Sequence, residues 1–193
     1  MAITGQPRRR RIVINADAYI SSATSNVPVL VKFNSTSHPD LFATGDDKDS
    51  VWFSTDAGGQ TTLYHEGVVF DSTNAIFYVK VDLSSTADTV IYFWYGTPAI
   101  TGTESKTNVW TDGVGVWHLE GNANDTLGTN NGSASNVSYS TNYGMGYGQG
   151  ATFNGSSSKI QISTSSSSPF RQATTVSYCA WVYTNTSAQT LGG

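Results

Sequence analysis

Residues 89–98 read Thr-Val-Ile-Tyr-Phe-Trp-Tyr-Gly-Thr-Pro. Seven consecutive β-branched or aromatic residues closed by Gly96 and Pro98 are too short for a helix and too apolar for a loop, which predicts a central strand covered on both faces. Upstream the apolar positions alternate with polar ones. In 27–33, Val27, Val29, Val31 and Phe33 share one face by the period of two, and Pro28 suits a strand start or an edge. A further strand is predicted over 8–14. A polar loop follows at 34–50, then a short strand at 51–53 and a turn at Asp56-Ala57-Gly58-Gly59. Residues 63–70 and 75–81 read as a hairpin across Asp71-Ser72-Thr73-Asn74, with Ala75, Phe77, Val79 and Val81 inward and Tyr78 and Lys80 outward. No helical period of any length stands out.

Beyond the central strand, 99–112 is polar and rich in Gly and Thr, and reads as a linker. Strand patterns resume at 114–119, 159–162 and 175–182, separated by Gly-rich polar stretches. The expected fold class is therefore all-β. Two β-sandwich modules are expected, over 1–98 and 113–193, joined by the 99–112 linker.

Composition supports that class: charged residues make up only 12% of the 193, hydrophobic ones 38%, and Ser, Thr, Asn and Gly abound. Cys179 is the single cysteine, so no internal disulfide can form, and it reads as a small buried apolar residue. The net charge of -4 hides an asymmetry, because Arg8 to Arg11 supply four of the ten basic residues against fourteen acidic ones. An acidic body argues against a nucleic-acid groove; the arginine run reads as the solvated start of a strand, with contact to nucleic acid or an acidic partner as the alternative. No segment has the length and apolarity to insert in a membrane, and the first seven residues lack a signal-peptide core.

Several spaced features of the first half occur together: Arg9-Arg10-Arg11-Ile12 leading into Pro28-Val29-Leu30-Val31, Asp49-Ser50-Val51-Trp52-Phe53 with Asp56-Ala57-Gly58, Tyr78-Val79-Lys80-Val81, and the run ending Trp94-Tyr95-Gly96-Thr97-Pro98. Over about residues 8–110 this order resembles a bacterial domain family of unknown function, found in surface proteins and near biopolymer-transport genes, usually just before a laminin-G-like domain. The second half carries Trp117-His118-Leu119, Gly148-Gln149-Gly150-Ala151-Thr152-Phe153-Asn154-Gly155 and Tyr178-Cys179-Ala180-Trp181-Val182. That series resembles the opening of a laminin-G-like, concanavalin A-like jelly roll, which is incomplete at Gly193. The resemblance implies β-sandwiches and surface display, and brings no catalytic residue.

Candidate chemistry is sparse. Concanavalin A-type glucanases alternate paired carboxylates along one strand, whereas Glu66, Glu104 and Glu120 stand isolated here. His38, His65 and His118 lack metal-ligand spacing; His118 reads as a strand residue and His65-Glu66 as solvent-facing. Calcium is the one candidate cofactor. Asp46 and Asp49 in the acidic loop could supply oxygen ligands, without the spacing of a hand-type loop, and Asp125 occupies a position near a metal or ligand rim in laminin-G-like relatives; hydrated turns are the alternative. Tyr139, Tyr143 and Tyr147 could stack on sugar rings, or could pin a long loop to the sheet.

The expectation is a non-enzymatic structural and adhesive protein on a particle surface, a bacteriophage fibre, decoration or tail component that contacts glycan, protein, other virion proteins or copies of itself. The missing signal beside an extracellular style of composition motivates the virion. The alternative is a secreted or cell-surface bacterial carbohydrate-binding module, attached to a catalytic domain outside the chain.

Overall fold

The computed structural model describes residues 8–96, 103–141, 149–162 and 177–184. The chain divides into two compact units, Met1–Gly113 and Val114–Gly193. The described residues are mostly strands in antiparallel sheets, and the two helices among them span four residues each. No helix among them is long and apolar enough to cross a membrane.

The first unit is a β-sandwich. One sheet has the order β1 (Arg8–Ile14), β7 (Thr89–Tyr95), β3 (Trp52–Ser54), β4 (Thr62–Leu63); the other has the order β2 (Thr24–Asn34), β6 (Asn74–Leu83), β5 (His65–Phe70). The 89–95 run is interior to its sheet, as its composition predicts, paired with β1 from Arg8↔Tyr95 to Ile14↔Thr89 and with β3 at Trp52↔Trp94. The 65–83 hairpin also forms, with a bulge between Gly67 and Val69. Ala75, Phe77, Val79 and Val81 are buried as the alternation requires, and Ile76 is buried on the opposite face.

Inward side chains of both sheets make one core. Phe93 stands at its centre, with ring centroids 4.7 Å from Phe33, 5.0 Å from Phe53 and 5.7 Å from Phe77. Phe93, Phe53 and Phe77 are fully buried. Aromatic pairs at such distances add about 0.5–1.5 kcal/mol each beyond the area they bury, so this cluster clamps sheet to sheet.

The outer face of β7 is covered too, by a turn rather than a sheet. Trp52 and Trp94 lie parallel, 5.7 Å apart, and the Trp94 indole N–H donates to Ser54 Oγ at 2.8 Å. The 55–61 turn folds over them. Asp56 holds it by accepting from the N–H groups of Gly58, Gln60 and Thr61. Gly59 sits at φ +71° so close to Trp94 that a Cβ there would meet the indole at 3.2 Å.

Three expectations change in this unit. His65 and Glu66 are buried, not solvent-facing, because residues from 103 onward return across β5. His65 N–H donates to Thr103 O at 2.9 Å, Ser105 N–H donates to His65 O at 2.7 Å, and the Trp110 indole donates to Glu66 Oε2 at 2.6 Å. Residues 103–112 of the expected linker thus belong to the first unit, which ends at Gly113, with α2 (Lys106–Val109) burying Val109. The expected 34–50 loop also contains a short helix, α1 (Pro39–Phe42), whose Leu41 enters the core.

The second unit contains β8 (Ser133–Ser135) paired with β11 (Lys159–Gln161), and β9 (Ser138–Ser140) paired with β10 (Gly150–Thr152). Residues 114–119 are not a strand. The Val116 N–H donates to Asp125 Oδ1 and its carbonyl accepts from Thr126 N–H at 2.7 Å, so both backbone groups serve the Asp125 loop and not a sheet. Residues 177–182, also expected as a strand, have none assigned; Cys179 is exposed there instead of buried, beside Tyr178 at 91% and Trp181 at 83% exposure.

The buried His65 ring has a pH consequence. Burial lowers its pKa from 6.5 to about 4, against a weak contact of Nε2 with Lys48 O at 3.4 Å. Folding therefore favours the neutral ring: this contribution is full above pH 6.5, declines as pH falls from 6.5 towards 4, and is flat below that. Calorimetry across that window is expected to show a loss on the order of 3 kcal/mol, and His65→Phe, packed between Phe53 and Phe77, is expected to abolish that slope.

A candidate binding cleft at the open edge of the sandwich

The two sides of the sandwich end differently. On one side the chain runs from β4 to β5 through Tyr64, passing from one sheet into the other, and Glu104 bridges to His65. On the other side β1 and β2 are the terminal strands of their sheets, each hydrogen-bonded to a single neighbouring strand among the described residues.

Between β1 and β2 lies a cleft of about 470 Å³, walled by Ile12 and Ile14 of β1 and by Val29, Val31 and Phe33 of β2. Val31 and Phe33 are buried, whereas Val13 and Leu30 at the rims are 43% and 41% exposed. The apolar interior is thus reachable from solvent along the edge.

One end of the cleft is polar. Arg10 alternates in step with Ile12 and Ile14, so it faces inward, pairs with Asp40 Oδ1 and lies over the Tyr95 ring at 5.9 Å. The Tyr95 hydroxyl donates to the other Asp40 oxygen at 2.6 Å. Burial alone would raise the Asp40 pKa, but the Tyr95 hydrogen bond and the Arg10 guanidinium hold it below the ordinary carboxylate value. Burial, with the bond to Asp40, pushes the Tyr95 phenol up. His38 packs edge-on against Phe33 at 5.1 Å. The Arg10 Nε and His38 Nδ1 atoms are both shielded from solvent and have no hydrogen-bond partner among the described residues. Period-two reading of 8–14 would have placed Arg10 inward; its pairing with Asp40 crosses thirty residues and leaves no local signal.

The sequence candidates lie elsewhere. Asp46 accepts from Thr44 Oγ1 and from Gly96 N–H, both at 2.6 Å, and so ties the acidic loop to the end of β7. Asp49 pairs with Lys48 at 2.8 Å. Asp125 is buried; its carboxylate accepts from the N–H groups of Val116, Leu127, Thr129 and Asn130 and from the Thr129 hydroxyl. Burial would raise its pKa, yet those donors hold it below the ordinary value. No group of three or more His, Cys, Asp or Glu side chains is placed to hold a metal among the described residues. Tyr139 lies on β9 opposite Ala151, half-buried, with its hydroxyl shielded from solvent. Tyr143 and Tyr147 lie outside the described residues.

Two outcomes follow from these bonds. A double-mutant cycle on Asp40→Asn and Tyr95→Phe, read by denaturant unfolding, is expected to give a coupling of about 1 kcal/mol. Asp125→Ala leaves buried N–H donors unpaired and is expected to cost about 2–4 kcal/mol; thermal unfolding with and without a calcium chelator measures it, and a chelator effect on the unsubstituted chain that Asp125→Ala abolishes would assign calcium there. Compared with known proteins, the chain matches no family model, no curated protein and no solved structure.

Proposed function

We propose that this chain is a non-enzymatic structural and adhesive protein displayed on a particle surface, a bacteriophage virion component that engages protein or glycan. The observation that carries this reading is the open β1/β2 edge: a sandwich crossed on one side by the β4–β5 connection offers on the other a cleft with apolar side chains on facing walls and a polar end. Unpaired strand edges are templates for pairing with another chain, which proteins ordinarily blunt or cover. An edge left reachable beside a cleft suits assembly. The resemblance of both halves to surface-displayed domains supports the same reading and also supports a bacterial cell-surface module.

Mass spectrometry and immunogold labelling of purified phage particles test it. The chain is expected at stoichiometric level on the particle exterior. Recovery only from the bacterial surface or culture medium would select the cell-surface alternative, and turnover of a glycan by the purified chain would overturn both.

A further inference from the structure

We propose that the β1/β2 cleft receives an extended segment of a partner protein, which pairs with the free edge of β1 and carries apolar side chains alternating with carboxylates. The inference rests on the adhesive reading above and names the chemistry of the partner.

Strand choice follows from the two edges. Pro28 of β2 has no N–H to donate and interrupts any ladder formed along that edge. β1 has seven residues and no proline, enough for a strand of ordinary length. A segment paired with β1 must point its side chains alternately to the two faces of the sheet. One set enters the cleft, between Ile12 and Ile14 on one wall and Val29 and Val31 on the other, where the facing side chains are apolar although Arg10, Arg11, Lys32 and His38 also line the cleft. The other set lies on the outer face beside Arg9, Arg11 and Val13.

Charge selects that second set. Arg9 is engaged, lying over Tyr92 and Trp94 and donating to Ala57 O. Arg11 is exposed and forms no ion pair among the described residues. Opposite charges across a strand pair stabilise it and like charges destabilise it. This disfavours a second copy's β1, whose antiparallel pairing about Arg11 would set arginine against arginine. A carboxylate beside Arg11 satisfies the site.

The test uses the full chain and labelled peptides about eight residues long: alternating valine and glutamate, alternating valine and lysine, and a valine-glutamate peptide of shuffled order. Fluorescence anisotropy is expected to show the first binding about tenfold or more tighter than the other two. Arg11→Glu, at an exposed position and checked for an unchanged thermal midpoint, is expected to reverse the preference between glutamate and lysine peptides. Hydrogen exchange is expected to gain protection in residues 8–14 on binding. Equal affinity for all three peptides, no binding at all, protection confined to other strands, or displacement by a single-stranded oligonucleotide would overturn the proposal. Location on or off a virion has no bearing on these readings, so this inference and the proposed function fail separately.

Discussion

The aromatic cluster around Phe93 is the contact on which the first unit depends. Phe93 comes from the centre of one sheet, Phe33 and Phe77 from the other, and Phe53 from the strand next to β7. Because they interlock at one depth, the pairing of β7 with β1 and β3 and the stacking of β6 beneath it are decided together. The remaining features of the unit are ways of covering what this clamp leaves outside.

Covering is achieved differently on each side. Over β7 a turn held by the Asp56 carboxylate closes on Trp52 and Trp94. Over β5 and β6 the 103–110 segment closes on Glu66 and Tyr78, with the Trp110 ring 4.9 Å from Tyr78. The second cover also gives the buried Glu66 carboxylate a donor, which removes the penalty of leaving it desolvated and unpaired. The β1/β2 side has no comparable cover among the described residues, and there the inward Arg10, Asp40 and Tyr95 form a polar stop at one end of an apolar cleft.

The second unit depends on a different interaction. Asp125 gathers backbone N–H groups from both sides of its loop, and Asn130 and Trp117 add bonds to Val114 O and Asn130 O. A carboxylate with four backbone donors organises irregular chain much as a helix cap does, locally and without a sheet. That is why 114–119 is not a strand despite an apolar pattern that suits one.

The sequence by itself determined the class and the inward faces. Strand character at 8–14, 27–33, 75–81 and 89–95 follows from a period of two and from β-branched and aromatic residues, which act over a few positions and so can be read along the chain. It could not determine which edges meet or what lies over them. His65 and Glu66 look like surface residues until 103–105 is laid across β5, and only the fold brings the Gly96 and Val116 N–H groups to the Asp46 and Asp125 oxygens. Those outcomes belong to the tertiary structure, because burial and hydrogen-bond satisfaction are set by groups far away in sequence, and only the assembled sheets decide which group arrives.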